Sequence, residues 1–187
     1  MKQLDRLGEG DVLFLSGSIP ASMPDDAYQK IMERLDGRGV QIVVDATRDL
    51  LMKVLEYHPF LIKPNNHELG EIFDVELRTR EEVIPYAKKL QEKGAVNVLV
   101  SMAGEGAVLI DANGDVHMAP APKGTLVNGV GAGDSMVAGF MAGWLEKQDY
   151  EHAFCMGVSA GSASAFSEHL ATKAEIETVY QRVTGNK

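Results

Sequence analysis

Residues 128–134 read Asn128-Gly129-Val130-Gly131-Ala132-Gly133-Asp134, and a helical, apolar run from Ser135 to Leu145 (SMVAGFMAGWL) follows directly. Small residues let a backbone approach a ligand closely, and the unpaired amides that open a helix make an anion site. Asp134 falls in the first turn of that helix, where a carboxylate beside a bound phosphate could accept the proton of an attacking hydroxyl. The same letters also suit a Gly-rich turn closed by an N-capping Asp. A dinucleotide loop needs G-x-G-x-x-G straight after a strand in an early βαβ unit. This stretch sits late and leads into consecutive helices. A Walker A loop is excluded, because the chain contains no Gly-Lys dipeptide.

Upstream of this stretch, apolar β-branched runs alternate with helical spacing. Asp11 to Leu15, Gln41 to Ala46, Phe60 to Lys63 and Val96 to Val100 read as buried strands. Between them the spacing predicts helices over Pro24 to Leu35, with Ala27, Ile31 and Leu35 on one stripe, and around Asp49 to Tyr57. A short helix follows Pro64-Asn65-Asn66, and a longer one covers Arg80 to Lys93. Gly106 to Asp111 and Val116 to Met118 predict a hairpin turning at Asn113-Gly114. After Gly133 the pattern is helical to the end, with breaks near Asp149 and near Ala171-Thr172. The alternation implies βαβ units, a mostly parallel sheet and an α/β fold in one domain over residues 1–187.

Ligands of such sheets sit beyond the C-terminal strand ends. Chemistry-bearing residues are therefore expected at Ser16–Ser18, Lys63–Glu68, Ser101–Gly106 and Gly131–Asp134. Lys63, Asn65 and Glu68 suit a nucleotide phosphate and its magnesium, which prefers one or two carboxylates with several waters. The same segment also reads as a turn with Asn and Glu at a helix start. Ser101-Met102-Ala103-Gly104-Glu105-Gly106 permits a tight turn with exposed amides. Ser16-Gly17-Ser18 is a strand-end loop with two hydroxyls, and Ser18 could hold a substrate phosphate.

Composition removes other classes. A formal net charge of −9 and a pI near 5.0 leave no basic footprint for nucleic acid or anionic lipid. The start MKQLDRLGEG lacks the apolar stretch of a signal peptide and no run is long enough to span a membrane, so a cytoplasmic protein is expected. Cys155, the single cysteine, reads as a buried structural thiol. The five histidines show no metal spacing. Gly157-Val158-Ser159-Ala160-Gly161 matches a hydrolase nucleophile elbow as a string, but the elbow needs a strand before its Ser and this segment reads as helix.

The combination of SGS-x-P, KPN-x-x-E, S-x-x-G-x-G and VGAGDSMVAGF, in this order, resembles the ribokinase-like (PfkB) sugar kinases, with the 1-phosphofructokinase branch nearest. The resemblance runs from about Asp11 to about Tyr180. It implies a three-layer α/β/α fold with a mostly parallel sheet, lacking the family's N-terminal strands and β-lid, and so an open sheet edge. It also implies phosphoryl transfer from ATP, with Mg²⁺, to fructose 1-phosphate. Tagatose-6-phosphate or 6-phosphofructo-kinase activity and a non-catalytic nucleotide-binding remnant are the alternatives. Where the lid is present in a longer chain, the resemblance implies a homodimer.

Carried across residue by residue, the resemblance makes Asp134 the catalytic base and the amides of Gly131, Ala132 and Gly133 its anion hole. Asn65 and Glu68 match the N-x-x-E motif tied to magnesium and phosphate handling. Lys63, Asn65, Ser101, Gly104, Glu105, Gly106, Asn128, Val130 and Gly133 fall where the family binds ATP, with Val158 and Ser162 beside its adenine. Gly17 and Ser18, together with Asp134, fall where the phosphorylated sugar is held. Gly129 departs from the pattern, since relatives carry Ser or Thr there.

Overall fold

Val12–Ser16 (β1), Gln41–Asp45 (β2), Leu61–Ile62 (β3) and Asn97–Ser101 (β4) are strands, as their β-branched and apolar runs predict. The computed structural model describes residues 2–20, 22–46 and 48–185. β1 pairs with β2, β2 with β3 and β3 with β4, all parallel, with Leu13 opposite Ile42, Val43 opposite Leu61 and Ile62 opposite Val98. Consecutive residues Ile42, Val43 and Val44 are buried, so β2 is covered on both faces, as a strand inside a helix-flanked parallel sheet must be. β3 is shorter than Phe60 to Lys63. Its flanks still bond to β2, with Phe60 N donating to Ile42 O at 2.8 Å and Lys63 N to Val44 O at 3.2 Å.

The chain divides into two compact units, Met1–Val100 with Ile110–Asp115 and Ser101–Leu109 with Val116–Lys187. In the first, helices Ala27–Leu35 (α1) and Arg48–Val54 (α2) each separate two strands, and Asn66–Phe73 (α3) and Arg80–Glu92 (α4) follow one another between β3 and β4. α1 buries Ala27, Met32 and Leu35, whereas Ile31 is only half-buried. Two of the three expected stripe residues are buried, and Met32, a flexible side chain, takes the inward place beside Ile31. α4 opens with a capping box, in which the Thr79 side chain accepts from Glu82 N and Glu82 reaches back to Thr79 N.

Ala107–Ile110 (β5) and Val116–Ala119 (β6) complete a six-stranded sheet in the order β1-β2-β3-β4-β5-β6. The turn between β5 and β6 closes with Gly114 N donating to Asp111 O at 2.9 Å, at the predicted position.

In the second unit Ala132–Lys147 (α5), Tyr150–Ala165 (α6) and Lys173–Gly185 (α7) follow one another, with breaks where the sequence places them. α5 and α6 meet through glycines. A Cβ on Gly139 would lie 2.5 Å from Ala160 Cβ, and one on Gly143 would lie 2.9 Å from Ala153 Cα. From α6, a Cβ on Gly157 would lie 2.9 Å from Met136 O, and one on Gly161 would lie 3.0 Å from Ala132 O. The two backbones therefore touch with almost no side chain between them. Because α6 is a helix, the 157–161 string is no nucleophile elbow. Ser159 is buried and its hydroxyl donates to Cys155 O at 2.6 Å. Cys155 is itself a buried free thiol, and burial pushes its pKa up. Among the described residues no helix is long and apolar enough to cross a membrane.

Candidate functional site

In the second unit, the loop before α5 is tied down on both sides. Val127 N and Asn128 N both donate to Ala165 O, at 2.9 and 3.1 Å. The Asn128 carboxamide accepts from Val130 N at 3.0 Å, a local turn that aims the chain at the helix. Gly131 is the N-cap of α5 and sits at φ 77°, a left-handed conformation that a β-carbon would strain. A Cβ there would also lie 2.8 Å from Leu170 Cδ2.

Asp134 is exposed and occupies the third helical position, while the capping position belongs to Gly131, which makes no side-chain cap. The N-cap reading of Asp134 therefore fails. It stands in the first turn of α5, at the positive end of the helix dipole. Of the three candidate anion-hole amides, Ala132 N reaches Gly129 O at 3.3 Å. No carbonyl among the described residues receives the amides of Gly131 and Gly133. Around this turn Leu126, Val127, Val130 and Leu170 are exposed, Val130 to 81%. Val158 is 1% exposed within α6, so it offers no side-chain surface, and Ser162 is half-buried.

The Ser101–Gly106 segment makes one 3-10 turn over Ala103–Glu105. Three of its amides are taken by carbonyls of the turn itself. Glu105 N donates to Met102 O at 2.9 Å, Gly106 N to Ala103 O at 3.1 Å and Met102 N to Gly106 O at 2.9 Å. These donors close the turn on itself. Gly106 has φ 97°, and a Cβ on it would lie 2.0 Å from Ala119 O.

In the first unit, the ends of β1, β2 and β3 bring together residues from two separate motifs. Gly17 N donates to Asp45 O at 2.9 Å, and the Asp45 carboxylate lies 3.3 Å from Lys63 Nζ. Lys63 is only 7% exposed, so its ammonium depends on that partner. Tyr28, from α1, donates its hydroxyl to Ser16 O at 2.9 Å and to Gly17 O at 3.1 Å. Burial, and then the Asp45 charge, push the Tyr28 pKa up. Asn65 and Glu68 form a capping box: Glu68 N donates to Asn65 Oδ1 and Asn65 N to Glu68 Oε2, both at 2.8 Å. The box fixes the Glu68 carboxylate and leaves its second oxygen for other work.

Asp45 and Tyr28 were not among the residues singled out from sequence. A charged residue closing the β-branched run QIVVD is the signal that would have found Asp45. Tyr28 carries no such signal, as it lies on a polar stretch of helix. A separate cleft of about 400 Å³ beside α3 is lined by Asn66, His67, Glu71, Asp74 and Glu76. Its carboxylates are ill suited to a phosphate.

The sequence matches the pattern described as "pfkB family carbohydrate kinase" over residues 1–177. It is 49% identical over 183 residues to a 1-phosphofructokinase of Bacillus subtilis (strain 168), covering 98% of this chain and 60% of that protein. It is 32% identical over 184 residues to a D-tagatose-1-phosphate kinase of Bacillus licheniformis, covering 98% of this chain and 60% of that protein. A crystal structure described as that of a phosphofructokinase from Staphylococcus aureus superposes with a TM-score of 0.91 at 40% identity, covering 97% of this chain and 59% of the other. The chain thus spans about 60% of the length of these relatives.

Proposed function

Because the chain belongs to the pfkB family of carbohydrate kinases, we infer that the protein moves the γ-phosphoryl group of ATP to the free primary hydroxyl of fructose 1-phosphate. The products are fructose 1,6-bisphosphate and ADP. The observation that carries this reading is the start of α5, where an exposed carboxylate at the third helical position follows a glycine turn. Asp134 takes the proton of the attacking hydroxyl. The amides of Gly131 and Gly133, at the positive helix end, stabilise the charge on the transferring group. In the second unit the Ser101–Gly106 turn serves the nucleotide, and the exposed apolar residues Val130 and Leu170 suit the flat face of a base; in the first, Lys63 supplies a cation for its phosphates. Gly17 and Ser18 hold the phosphate of the sugar. Catalysis is then mainly positioning and charge stabilisation.

Fructose 1-phosphate is preferred because the similarity is 49% to a 1-phosphofructokinase against 32% to a D-tagatose-1-phosphate kinase. The latter similarity makes tagatose 1-phosphate the second reading. A turnover assay with ATP and Mg²⁺ over fructose 1-phosphate, tagatose 1-phosphate and fructose 6-phosphate decides between them. The highest kcat/KM is expected on fructose 1-phosphate. Nucleotide binding without turnover of any of the three would make the chain a binding remnant instead.

Among the described residues no group of three or more His, Cys, Asp or Glu could hold a metal ion, so a closed protein cage is not available. The donor set of Glu68 and Asn65 fits magnesium that keeps most of its waters and its nucleotide oxygens. Bound there, magnesium would neutralise charge on the phosphates. Glu68→Gln preserves an acceptor for Asn65 N, so the cap should survive and the unfolding temperature should hold. The Mg²⁺ concentration for half-maximal rate is expected to rise. An unchanged Mg²⁺ dependence with an intact fold would confine Glu68 to capping.

A further inference from the structure

Two consecutive carbonyls at the end of β1 share one donor. The Tyr28 hydroxyl reaches Ser16 O at 2.9 Å and Gly17 O at 3.1 Å, while Gly17 N is held by Asp45 O at 2.9 Å. A hydroxyl carries a single proton, so this is a three-centre arrangement. It fixes the direction of both peptide oxygens. The direction matters next to an anion, because a carbonyl oxygen turned toward a phosphate repels it, whereas amides and hydroxyls attract it.

We propose that Tyr28 is a positioning residue for the sugar phosphate, turning the Ser16 and Gly17 carbonyls away from it so that the amide and hydroxyl of Ser18 face it. The proposal rests on the reading of Gly17 and Ser18 as the loop that holds the phosphorylated sugar. Tyr28 touches neither the substrate nor the reacting atoms; it acts through the backbone it holds. A phenol donates only while protonated, and the burial and the Asp45 charge that raise its pKa keep it so across the neutral range. Asp45 has a matching place. Its backbone oxygen holds Gly17 and its carboxylate holds Lys63, so the sugar loop and the nucleotide lysine share an anchor.

Tyr28→Phe removes one oxygen and keeps the ring, and titration calorimetry with fructose 1-phosphate and with ATP·Mg²⁺ reads the result. The dissociation constant for fructose 1-phosphate should rise about tenfold, on the scale of one hydrogen bond, while that for ATP stays within twofold. A purely structural Tyr28 would instead lower the unfolding temperature and leave the two affinities in their original ratio. Wild type that binds fructose 1-phosphate, with Tyr28→Phe binding it within twofold, overturns the proposal alone. Wild type that binds ATP but no fructose 1-phosphate overturns the reading of the loop, and the proposal with it. Hydrogen exchange on the wild type provides a test that does not depend on the variant folding. Saturating fructose 1-phosphate should slow exchange at the amides of Ser18 and Ile19, and no slowing at saturation overturns the proposal.

Discussion

Asp134→Asn is expected to lower kcat by about 10²–10⁴-fold, the usual contribution of a positioned general base. Asn keeps the shape and the hydrogen-bonding capacity of the side chain but cannot take a proton. ATP affinity should hold or rise slightly, because a negative charge near the phosphates is lost. Stability should fall only a little. Gly131 and not Asp134 caps α5, so no cap is lost, and the favourable meeting of a carboxylate with the helix dipole is worth about 0.3–1 kcal/mol at an exposed site. The decisive comparison is kcat against unfolding temperature in the same preparations. A variant that keeps more than about a tenth of wild-type kcat would remove Asp134 from the chemistry.

Two glycines in the Ser101–Gly106 turn should behave oppositely, although they stand two residues apart. At Gly106 a β-carbon would lie 2.0 Å from Ala119 O and 2.7 Å from both Ala121 N and Pro120 C, on a backbone with φ 97°. The obstacles are backbone atoms, which cannot swing aside. Backbone strain of about 1–3 kcal/mol and overpacking of similar size add together, so Gly106→Ala should destabilise by roughly 2–6 kcal/mol. At Gly104 nothing lies within 4 Å of the added carbon. Gly104→Ala should therefore stay within about 0.5 kcal/mol of wild type. Urea unfolding midpoints, with the slope held constant, measure both. Equal midpoints for the two variants would mean that the turn is not held against the residues after β6.

The alternation of strands and helices was legible because burial on both faces of a parallel strand demands runs such as QIVVD and NVLVS, which few other structures tolerate. The breaks near Asp149 and Ala171 were legible for a local reason as well. Asp149 caps α6 by accepting from His152 N, and Thr172 accepts from Glu175 N at the start of α7. Phase within a helix was less accessible. Whether Ile31 or Met32 turns inward depends on what the helix packs against, which spacing alone does not contain. Of the candidate site, the glycine turn and Asp134 were visible as a string. The closure of the Ser101–Gly106 amides on themselves was not, since two glycines permit either an open or a closed turn. Tyr28, and the contacts of Asp45, were hidden for a different reason. Their roles arise from strand ends that are distant in sequence and adjacent only after the sheet has formed.

The glycine contacts between α5 and α6 limit how this protein can be altered. Gly139, Gly143, Gly157 and Gly161 each face an atom of the opposite helix at 3.0 Å or less from an added β-carbon. At Gly139, Gly143 and Gly157 the obstacle is backbone or the first carbon of a side chain on the facing helix, so an added β-carbon forces the helices apart. The mounting of Asp134 therefore tolerates little change. On the proposed reading, a change of phosphorylated acceptor should begin at the end of β1 and leave the paired helices untouched.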